Sequence, residues 1–284
     1  MRFGFLLKRG KPEAVELGRR LAARLIEMGQ SIAASDADGV IHPATTVVPA
    51  ERLGQSIDLL VVLGGDGTFL HGATLVADDG VPLLGINLGS LGFMTHYPLG
   101  EAIKAVEAAS AGRLPIEERM RLRVTVLGDG GTRQEARRCA LNDAVISQSN
   151  IARLLDLSAE LNGSAVANYK ADGLILSTPT GSTAYNLAAG GPILTPDLEA
   201  IVVTPICSHA LTNRPVVMRG DARIVVTNVS SGTATLTIDG QWARELQPGE
   251  AVDVAKAERP LRTFKSPHAF FTILREKLAW GERG

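Results

Sequence analysis

The chain has 284 residues, of which 45% are hydrophobic and 21% are charged, a composition typical of a folded globular protein of about two domains. The formal net charge of −1 gives no excess of positive charge for nucleic acid or an anionic membrane, so we expect neither as a partner. No apolar run reaches the roughly 18 residues of a membrane-spanning helix, and Cys139 and Cys207 fit no zinc or disulfide pattern, which together predict a cytoplasmic protein with reduced thiols.

The first part of the chain alternates predicted strands with predicted helices. The continuous apolar run at 57–63 is typical of a central parallel strand that is covered on both faces. We expect a doubly wound parallel sheet in an α/β domain over residues 1–117, with an irregular loop over 36–49. The expected strands are 2–7, 31–35, 57–63 and 81–87, and the expected helices are 12–28, 68–77 and 99–111.

In the second half of the chain, short strands separated by turn residues replace this alternation. The GDGG at residues 128–131 separates two of these strands and indicates a hairpin. We therefore expect a mostly antiparallel β domain over residues 118–261, with one short helix that ends at Gly190. The last segment, residues 262–284, returns to helical spacing and predicts a C-terminal helix.

One carboxylate among three glycines follows the central strand, in Gly64-Gly65-Asp66-Gly67. Glycines at this point permit positive φ or a close approach of a ligand to bare backbone. The start of the next helix directs N–H groups at the loop, which favours phosphate. A carboxylate beside phosphate indicates phosphoryl transfer, with Asp66 acting as a base or through a metal. The alternative is a tight turn in which Asp66 only caps the helix.

Two further loops carry residue types that suit a nucleotide. NLGSLGFM, residues 87–94, is a second glycine-rich turn after the next strand, and we expect both loops to wall one crevice at the same sheet edge. STPTGST, residues 177–183, combines hydroxyl groups with a helix start, and Tyr185 offers a ring face for a base. The alternative for the latter is an ordinary strand–turn–helix with a hydroxyl cap.

Polar residues inside apolar strands raise the same choice between structure and binding. Asn142 and Asp143 stand in LNDAVI, where buried polar groups must find partners, so they either brace the fold or contact a ligand. Asp172, Asp239 and Gln241 pose the same question, and turn chemistry is the expected role of Asp239.

Taken together and in this order, these blocks resemble the NAD kinases. The resemblance rests on GGDGTFL, GINLGSLGF, LNDAVI, DGLILSTPTGSTAYNLAAGGPI, TPICSHALTNRP and IDGQ, and it spans nearly the whole chain. The block at 172–193 is highly specific, whereas GGDGT is shared with diacylglycerol, sphingosine and phosphofructokinase-type enzymes. The resemblance implies a β-rich second domain whose tail packs back on the first. It also implies transfer of the γ-phosphoryl group of ATP, or of polyphosphate, to the adenosine 2′-hydroxyl of NAD with a divalent metal, Mg²⁺.

Carried over by position, the resemblance assigns roles to residues of this chain. Asp66 would be the base for the 2′-hydroxyl, with Gly67 beside it. Asn142 and Asp143 would hold the dinucleotide, and Asp172 would bind it further along. The segment that wraps the adenosine, with the tyrosine packing its ring, would be Thr183, Ala184, Tyr185, Asn186, Leu187 and Ala188. The further nucleotide contacts would be His71, Arg153, Lys170, Thr180 and Gln241.

At two positions, the residue present affects the contacts that the resemblance implies. The family usually has Asn-Glu where this chain has Asn142-Asp143, so the charge is kept and one methylene of reach is lost. Lys170 stands where arginine or lysine would fit, and a lysine cannot make a bidentate fork.

Two other classes of protein compete with this interpretation. A lipid kinase shares GGDGT and the two-part layout, but it needs an apolar acceptor site, whereas residues 177–191 are rich in hydroxyls. A dinucleotide-sensing module would use the same loops without catalysis, but a pure binder gains nothing from Asp66 beside phosphates. The resemblance and an apolar β surface also lead us to expect a homo-oligomer, either a dimer or a tetramer.

Overall fold

The structure is a computed structural model that describes residues 1–37, 39–89, 91–128, 138–149, 154–210 and 212–281. The chain forms two compact units. The first unit combines Met1–Glu118 with Leu261–Gly284, and the second is Arg119–Pro260. Within the part of the chain that the structure describes, no helix is long and apolar enough to cross a membrane.

The first unit starts with alternating strands and helices. Its elements up to the boundary are β1 (Arg2–Leu7), α1 (Pro12–Glu27), β2 (Ser31–Ser35), β3 (Thr45–Val48), α2 (Leu53–Ser56), β4 (Leu59–Leu63), α3 (Asp66–Val76), β5 (Leu83–Asn87), β6 (Tyr97–Pro98), α4 (Ala102–Ser110) and β7 (Ile116–Arg119).

The second unit is made almost entirely of strands. Its elements are β8 (Leu122–Leu127), β9 (Arg138–Ala140), β10 (Asp143–Gln148), β11 (Leu155–Leu161), β12 (Ser164–Ala171), β13 (Gly173–Ser177), α5 (Tyr185–Ala188), β14 (Ala200–Ile206), β15 (Val216–Arg219), β16 (Ile224–Asn228), β17 (Ala234–Ile238), β18 (Trp242–Leu246) and β19 (Ala251–Lys256). The chain then returns to the first unit with β20 (Leu261–Phe264) and α6 (Phe270–Leu278).

The sheet of the first unit has the strand order β3-β2-β1-β4-β5-β20-β7, with β6 paired to β5. The pairs β1–β2, β1–β4, β2–β3, β4–β5 and β5–β20 are parallel. All five residues of β4 are buried, because helices cover a parallel sheet on both faces. Helix α1 buries Leu17, Leu21 and Leu25, which recur every four residues, and it ends before Gly29 at φ 74°.

The second unit is a pair of antiparallel sheets around one core. Their strand orders are β15-β14-β13-β10-β17-β18 and β12-β11-β16-β19-β8-β9. One hydrophobic cluster takes side chains from both sheets, among them Ile146 and Leu176 of the first and Leu157 and Val252 of the second. The predicted fold class, a parallel α/β domain with a β-rich second domain, is confirmed.

Most predicted elements are present, with one correction in the first sheet. The loop expected over 36–49 contains the parallel strand β3, which pairs with β2 at the sheet edge. None of its four residues is fully buried, so the hydrophobic alternation that reveals a strand is missing there. The predicted hairpin is present as the antiparallel pair β8–β9, whereas residues 129–131 of its turn lie outside the described residues.

Candidate active site

Asp66 is the first residue of helix α3 and follows β4 after two glycines, Gly64 and Gly65. Because β4 and β5 are parallel neighbours, with Leu63 paired to Ile86, the loops that follow both strands leave the sheet at the same edge. The sequence prediction that these two glycine-rich loops meet is confirmed by direct contacts of the Asp66 side chain.

The carboxylate of Asp66 is held by the second loop through four hydrogen bonds. The amide of Phe93 donates to Oδ2 at 2.9 Å. The amides of Met94 and Thr95 donate to Oδ1 at 3.0 and 3.3 Å, and the Thr95 hydroxyl donates to the same oxygen at 3.3 Å. Three donors therefore share Oδ1, whereas Oδ2 accepts one hydrogen bond and keeps capacity for another.

Of the three glycines around Asp66, Gly64 is required by a close contact, and none is required by positive φ. None of Gly64, Gly65 and Gly67 lies in the left-handed region. A Cβ on Gly64 would overlap the Thr68 side chain, whereas a Cβ at 65 or 67 would meet no protein atom within 4 Å. The last two glycines therefore leave the loop backbone open on one side, at the positive end of an eleven-residue helix.

The second glycine-rich loop is fitted closely around the same carboxylate. A Cβ on Gly92 would overlap Oδ1 of Asp66 and the Thr95 hydroxyl. The predicted nucleotide contact His71 lies further along α3, where it is exposed.

In the second unit, three strand ends meet around Asn142 and Asp143. β10 begins at Asp143, which pairs with Ser177 at the end of β13. On the other side, β17 ends at Ile238, which pairs with Ala144. The two predicted dinucleotide-binding residues therefore lie where central strands of the sheet end, beside the hydroxyl-rich segment that follows β13.

The backbone at Asn142 is tied to that hydroxyl-rich segment. The Thr178 amide donates to the Asn142 carbonyl at 2.9 Å, and the Thr178 hydroxyl donates to the Leu141 carbonyl at 2.5 Å. The Ser177 hydroxyl also donates to the Asn142 carbonyl, at 3.2 Å. A Cβ on Gly181 would overlap the Asn142 backbone, which explains the glycine in STPTG.

Three polar side chains at these strand ends have no partner among the residues that the structure describes. The side-chain amide of Asn142, the side-chain carboxyl of Asp143 and the hydroxyl of Thr180 make no hydrogen bond to any described residue. All three residues are buried. Buried polar groups are normally paired, so these three groups indicate a ligand site.

The Asp143 carboxyl lies in strongly unfavourable surroundings for a charge. Burial and, second, the negative charge of Asp239 raise the pKa of Asp143 to about 7. Burial also raises the pKa of Asp239, against the opposing effects of its backbone hydrogen bonds and of Arg121.

Sequence reasoning assigned Asp239 to turn chemistry and missed its contact with residues 141–143. Its carboxylate accepts hydrogen bonds from the amides of Leu141, Asn142 and Asp143 at 2.8, 2.7 and 3.0 Å. The available signal was a carboxylate, rather than asparagine, in an Asp-Gly turn directly after an apolar strand.

The predicted adenosine segment separates into exposed and internal residues. Tyr185 is 47% exposed. Asn186 is fully buried, and its amide donates to the carbonyls of Ser182 and Pro192 while it accepts from the Thr204 hydroxyl. Both amide hydrogens of Asn186 are therefore used inside the protein. Thr183, Ala184 and Leu187 are partly buried, and Ala188 is exposed.

Of the remaining predicted contacts, Asp172 and Lys170 lie away from these strand ends, whereas Gln241 lies two residues after Asp239 at the same ends. Asp172 and Lys170 are at the opposite end of β13, where the amide of Gln148 donates to the Asp172 carbonyl at 3.0 Å. Gln241 is exposed in the turn between β17 and β18. Arg153 lies outside the described residues.

A parallel sheet with a glycine-rich, carboxylate-bearing loop, joined in one chain to a β unit with a hydroxyl-rich turn, defines a phosphotransferase that works on nucleotides. Residues 3–114 match the family model of the ATP-NAD kinase N-terminal domain, and residues 141–266 match that of the C-terminal domain. The chain belongs to the NAD kinase family.

Individual relatives agree with this assignment. The chain is 48% identical to an NAD kinase of Geotalea daltonii over 235 residues, which is 82% of each chain. It is 41% identical to an NAD kinase of Koribacter versatilis over 280 residues, or 98% of each chain. The crystal structure of yeast NADH kinase complexed with NADH matches with a TM-score of 0.91 at 26% identity, covering 100% of this chain and 89% of that one.

Proposed function

We propose that Asp66 is the general base in the phosphorylation of NAD to NADP with ATP, in which the γ-phosphoryl group passes to the 2′-hydroxyl of the adenosine ribose. The observation that carries the proposal is the position of Asp66. Its carboxylate stands at the start of α3, among glycine amides that can approach phosphate, and it is oriented by four hydrogen bonds.

The hydrogen-bond pattern of Asp66 also suggests which oxygen takes the proton. Among the described residues, Oδ1 accepts three hydrogen bonds, and Oδ2 accepts only the one from Phe93. The 2′-hydroxyl donates to Oδ2, and its proton passes to the carboxylate as the new O–P bond forms and the bond to the ADP oxygen breaks. Asp66 therefore both orients the hydroxyl and accepts its proton.

A second set of groups would hold the dinucleotide. Asn142, Asp143 and Thr180 offer an amide, a carboxyl and a hydroxyl that no described residue satisfies, and Tyr185 offers an exposed ring. We assign the contacts with NAD to these groups, together with the backbone of residues 183–188.

The residues present fit a metal that arrives with the nucleotide. Among the described residues, no group of three or more histidine, cysteine, aspartate or glutamate side chains could hold a metal ion. Mg²⁺ needs few protein ligands when phosphate oxygens and waters supply the others, and Asp66 adds one negative charge near the phosphate-facing loop. Bound there, Mg²⁺ would neutralise charge on the transferred phosphoryl group.

The test is direct measurement of NADP. Purified protein is mixed with NAD, ATP and Mg²⁺, and NADP is followed through an NADP-specific dehydrogenase, with Asp66→Asn and a chelator-treated sample alongside. We expect metal-dependent NADP formation that is lost in the variant. If ATP gives no NADP, polyphosphate is supplied instead. Binding of NAD without product from either donor would overturn the catalytic proposal in favour of a dinucleotide-sensing module.

We also propose that the protein is a cytoplasmic homo-oligomer. Both cysteines are free thiols, as expected in a reducing compartment. Val216 and Val217 are exposed on β15, an edge strand of one sheet, and Val166 is exposed on β12, an edge strand of the other. Apolar edge strands are suited to pairing with a second copy. Analytical ultracentrifugation should show a dimer or tetramer, and a monomer at all concentrations would contradict this proposal.

A further inference from the structure

Asp239 occupies a turn that does not by itself need a carboxylate. The residue has φ 51° and is followed by Gly240 at φ 64°, in the connection between β17 and β18. Asparagine or glycine would satisfy such a turn equally well, because both tolerate the left-handed region. The negative charge at this position, 9% exposed and beside a second carboxyl, therefore calls for a different reason.

The reason lies in the backbone that leads into β10. β17 ends at Ile238, opposite Ala144, so the chain before Ala144 has no strand on that side to accept its amide hydrogens. The Asp239 carboxylate accepts them instead, from residues 141, 142 and 143, and the Asp239 amide donates to the Asp143 carbonyl at 3.0 Å. One side chain thus takes the place of the missing strand.

The opposite side of this segment is equally occupied. The carbonyls of Leu141 and Asn142 accept from Ser177 and Thr178, as described above. With its backbone satisfied on both sides, the segment has only the side chains of Asn142 and Asp143 left for other partners. These side chains make no hydrogen bond to any residue that the structure describes.

We propose that Asp239 is a positioning residue for nucleotide binding, which fixes the backbone of residues 141–143 and so sets the direction in which Asn142 and Asp143 meet the dinucleotide. This inference rests on the proposed function, in which those two side chains contact NAD. Asp239 acts through them and does not itself touch the substrate.

The charge of Asp239 gives the proposal a second readout. Among the described residues, Asp239 is the charged group that acts on Asp143, and Arg121 is the one that acts on Asp239. Asp239 raises the pKa of Asp143, so removing its charge must lower that pKa. This shift reports the charge of Asp239 beside Asp143, whereas the positioning role is read from KM in a variant that keeps the charge and moves the oxygens.

The experiment compares Asp239→Asn, which keeps the turn and removes the charge, with Asp239→Glu, which keeps the charge and moves the oxygens. We expect both variants to raise the KM and Kd for NAD by about tenfold, the effect of one lost positioned hydrogen bond, with kcat within about threefold of wild type. The midpoint of the pH dependence of KM should move to lower pH in Asp239→Asn and stay in place in Asp239→Glu.

The matched control is Asp253→Asn, which removes another buried carboxylate of the same unit. Asp253 lies on β19 of the other sheet, where Arg223 donates to it. This variant should lower the thermal midpoint and leave KM for NAD unchanged. A KM within twofold of wild type in both Asp239 variants overturns the proposal, and so does a failure of both to fold, because Asp239 is then a folding residue.

A separate variant distinguishes failure of this inference from failure of the proposed function. Asn142→Ala should raise KM for NAD in a protein that forms NADP. If wild type forms NADP and Asn142→Ala leaves KM unchanged, residues 141–143 do not hold NAD. The positioning role of Asp239 is then wrong, although the activity is present. If wild type forms no NADP, the proposed function itself has failed.

Discussion

Asp66 and Asp143 both lie near the ends of central strands, but the groups that surround their carboxyls differ. Asp66 receives three amide hydrogens and a hydroxyl, so its carboxylate is surrounded by donors. Asp143 is 5% exposed, receives no hydrogen bond on its carboxyl from the described residues, and faces the charge of Asp239. Hydrogen-bond donors hold the first carboxylate in one geometry, whereas burial and a neighbouring charge raise the pKa of the second to about 7.

This difference matches the two tasks of the proposed reaction. A group that orients and deprotonates a hydroxyl must hold one geometry, which the loop at residues 92–95 provides. A group that binds a polar ligand can remain unsatisfied until the ligand arrives, at a cost to stability that binding then removes.

Among the tests of this contrast between Asp66 and Asp143, the largest change in turnover is expected from Asp66→Asn. The variant keeps the shape of the side chain and removes the base, so turnover should fall by about 10² or more while the Kd for NAD stays close to wild type. Steady-state kinetics and calorimetric titration with NAD measure the two quantities. Asp78→Asn, at the other end of the α3 region and exposed, is the control and should keep wild-type turnover. Near-normal turnover in Asp66→Asn would reduce Asp66 to a loop-positioning residue.

The next effect concerns Asp143 and the pH dependence of stability. The folded-state pKa of about 7 lies above the ordinary value of 3.8, so the folded protein binds more protons between these pH values. The free energy of unfolding should therefore fall as the pH rises from 4 to 7, by up to a few kcal/mol at about 1.4 kcal/mol per pKa unit.

Asp143→Asn should flatten this slope, because its amide does not titrate. Urea unfolding at several pH values measures it, and Asp172→Asn, which changes a partly exposed carboxyl at the other end of β13, should keep the wild-type slope. An unchanged slope in Asp143→Asn would mean that Asp143 is ionised throughout, and the contrast with Asp66 would disappear.

A smaller effect is expected where the Asp66 loop is packed most closely. Gly92→Ala places a methyl group against Oδ1 of Asp66 and the Thr95 hydroxyl, and such overpacking costs about 1–3 kcal/mol. We expect a lower thermal midpoint together with reduced kcat. Gly89→Ala changes the same loop at a position where a Cβ meets nothing within 4 Å, and it should be close to wild type. Equal behaviour of the two variants would show that the loop does not depend on this fit.

The smallest effect should sharpen the binding role of the second unit. Tyr185→Ala removes an exposed ring, and loss of one stacking contact of about 1 kcal/mol raises KM for NAD about fivefold with little change in kcat. Tyr185→Phe keeps the ring and should match wild type. If KM is the same in all three proteins, the ring does not pack on the base.

The sequence predicted the parts of the fold that hydrophobic patterns determine. β4 and α1 were predicted within two residues at each end, because complete burial and a four-residue apolar spacing leave strong patterns. β3 was missed, because an edge strand can be held by backbone pairing while its side chains stay exposed.

The same limit applies to the site. Residue types and order indicated Asp66 and the contact between its loop and residues 87–94, since both depend on adjacent parallel strands. The contacts of Asp239 with residues 141–143 arise because β17 ends opposite Ala144, one residue short of the start of β10 at Asp143. No local sequence pattern predicts that register. Asn186 falls inside a specific motif, yet the structure shows its amide turned inward, which only the packing of Ser182, Pro192 and Thr204 reveals.

The position of β20 has a consequence for how the chain is made. This strand lies between β5 and β7 in the sheet of the first unit, but it follows the whole second unit in the chain. During synthesis on the ribosome, β5 therefore lacks its neighbour β20 until all of residues 119–260 have been synthesised. The second unit can complete its own core first, so we expect it to fold before the first. A nascent chain stalled just before Leu261 should contain a protease-resistant second unit and a first unit that is still open to cleavage.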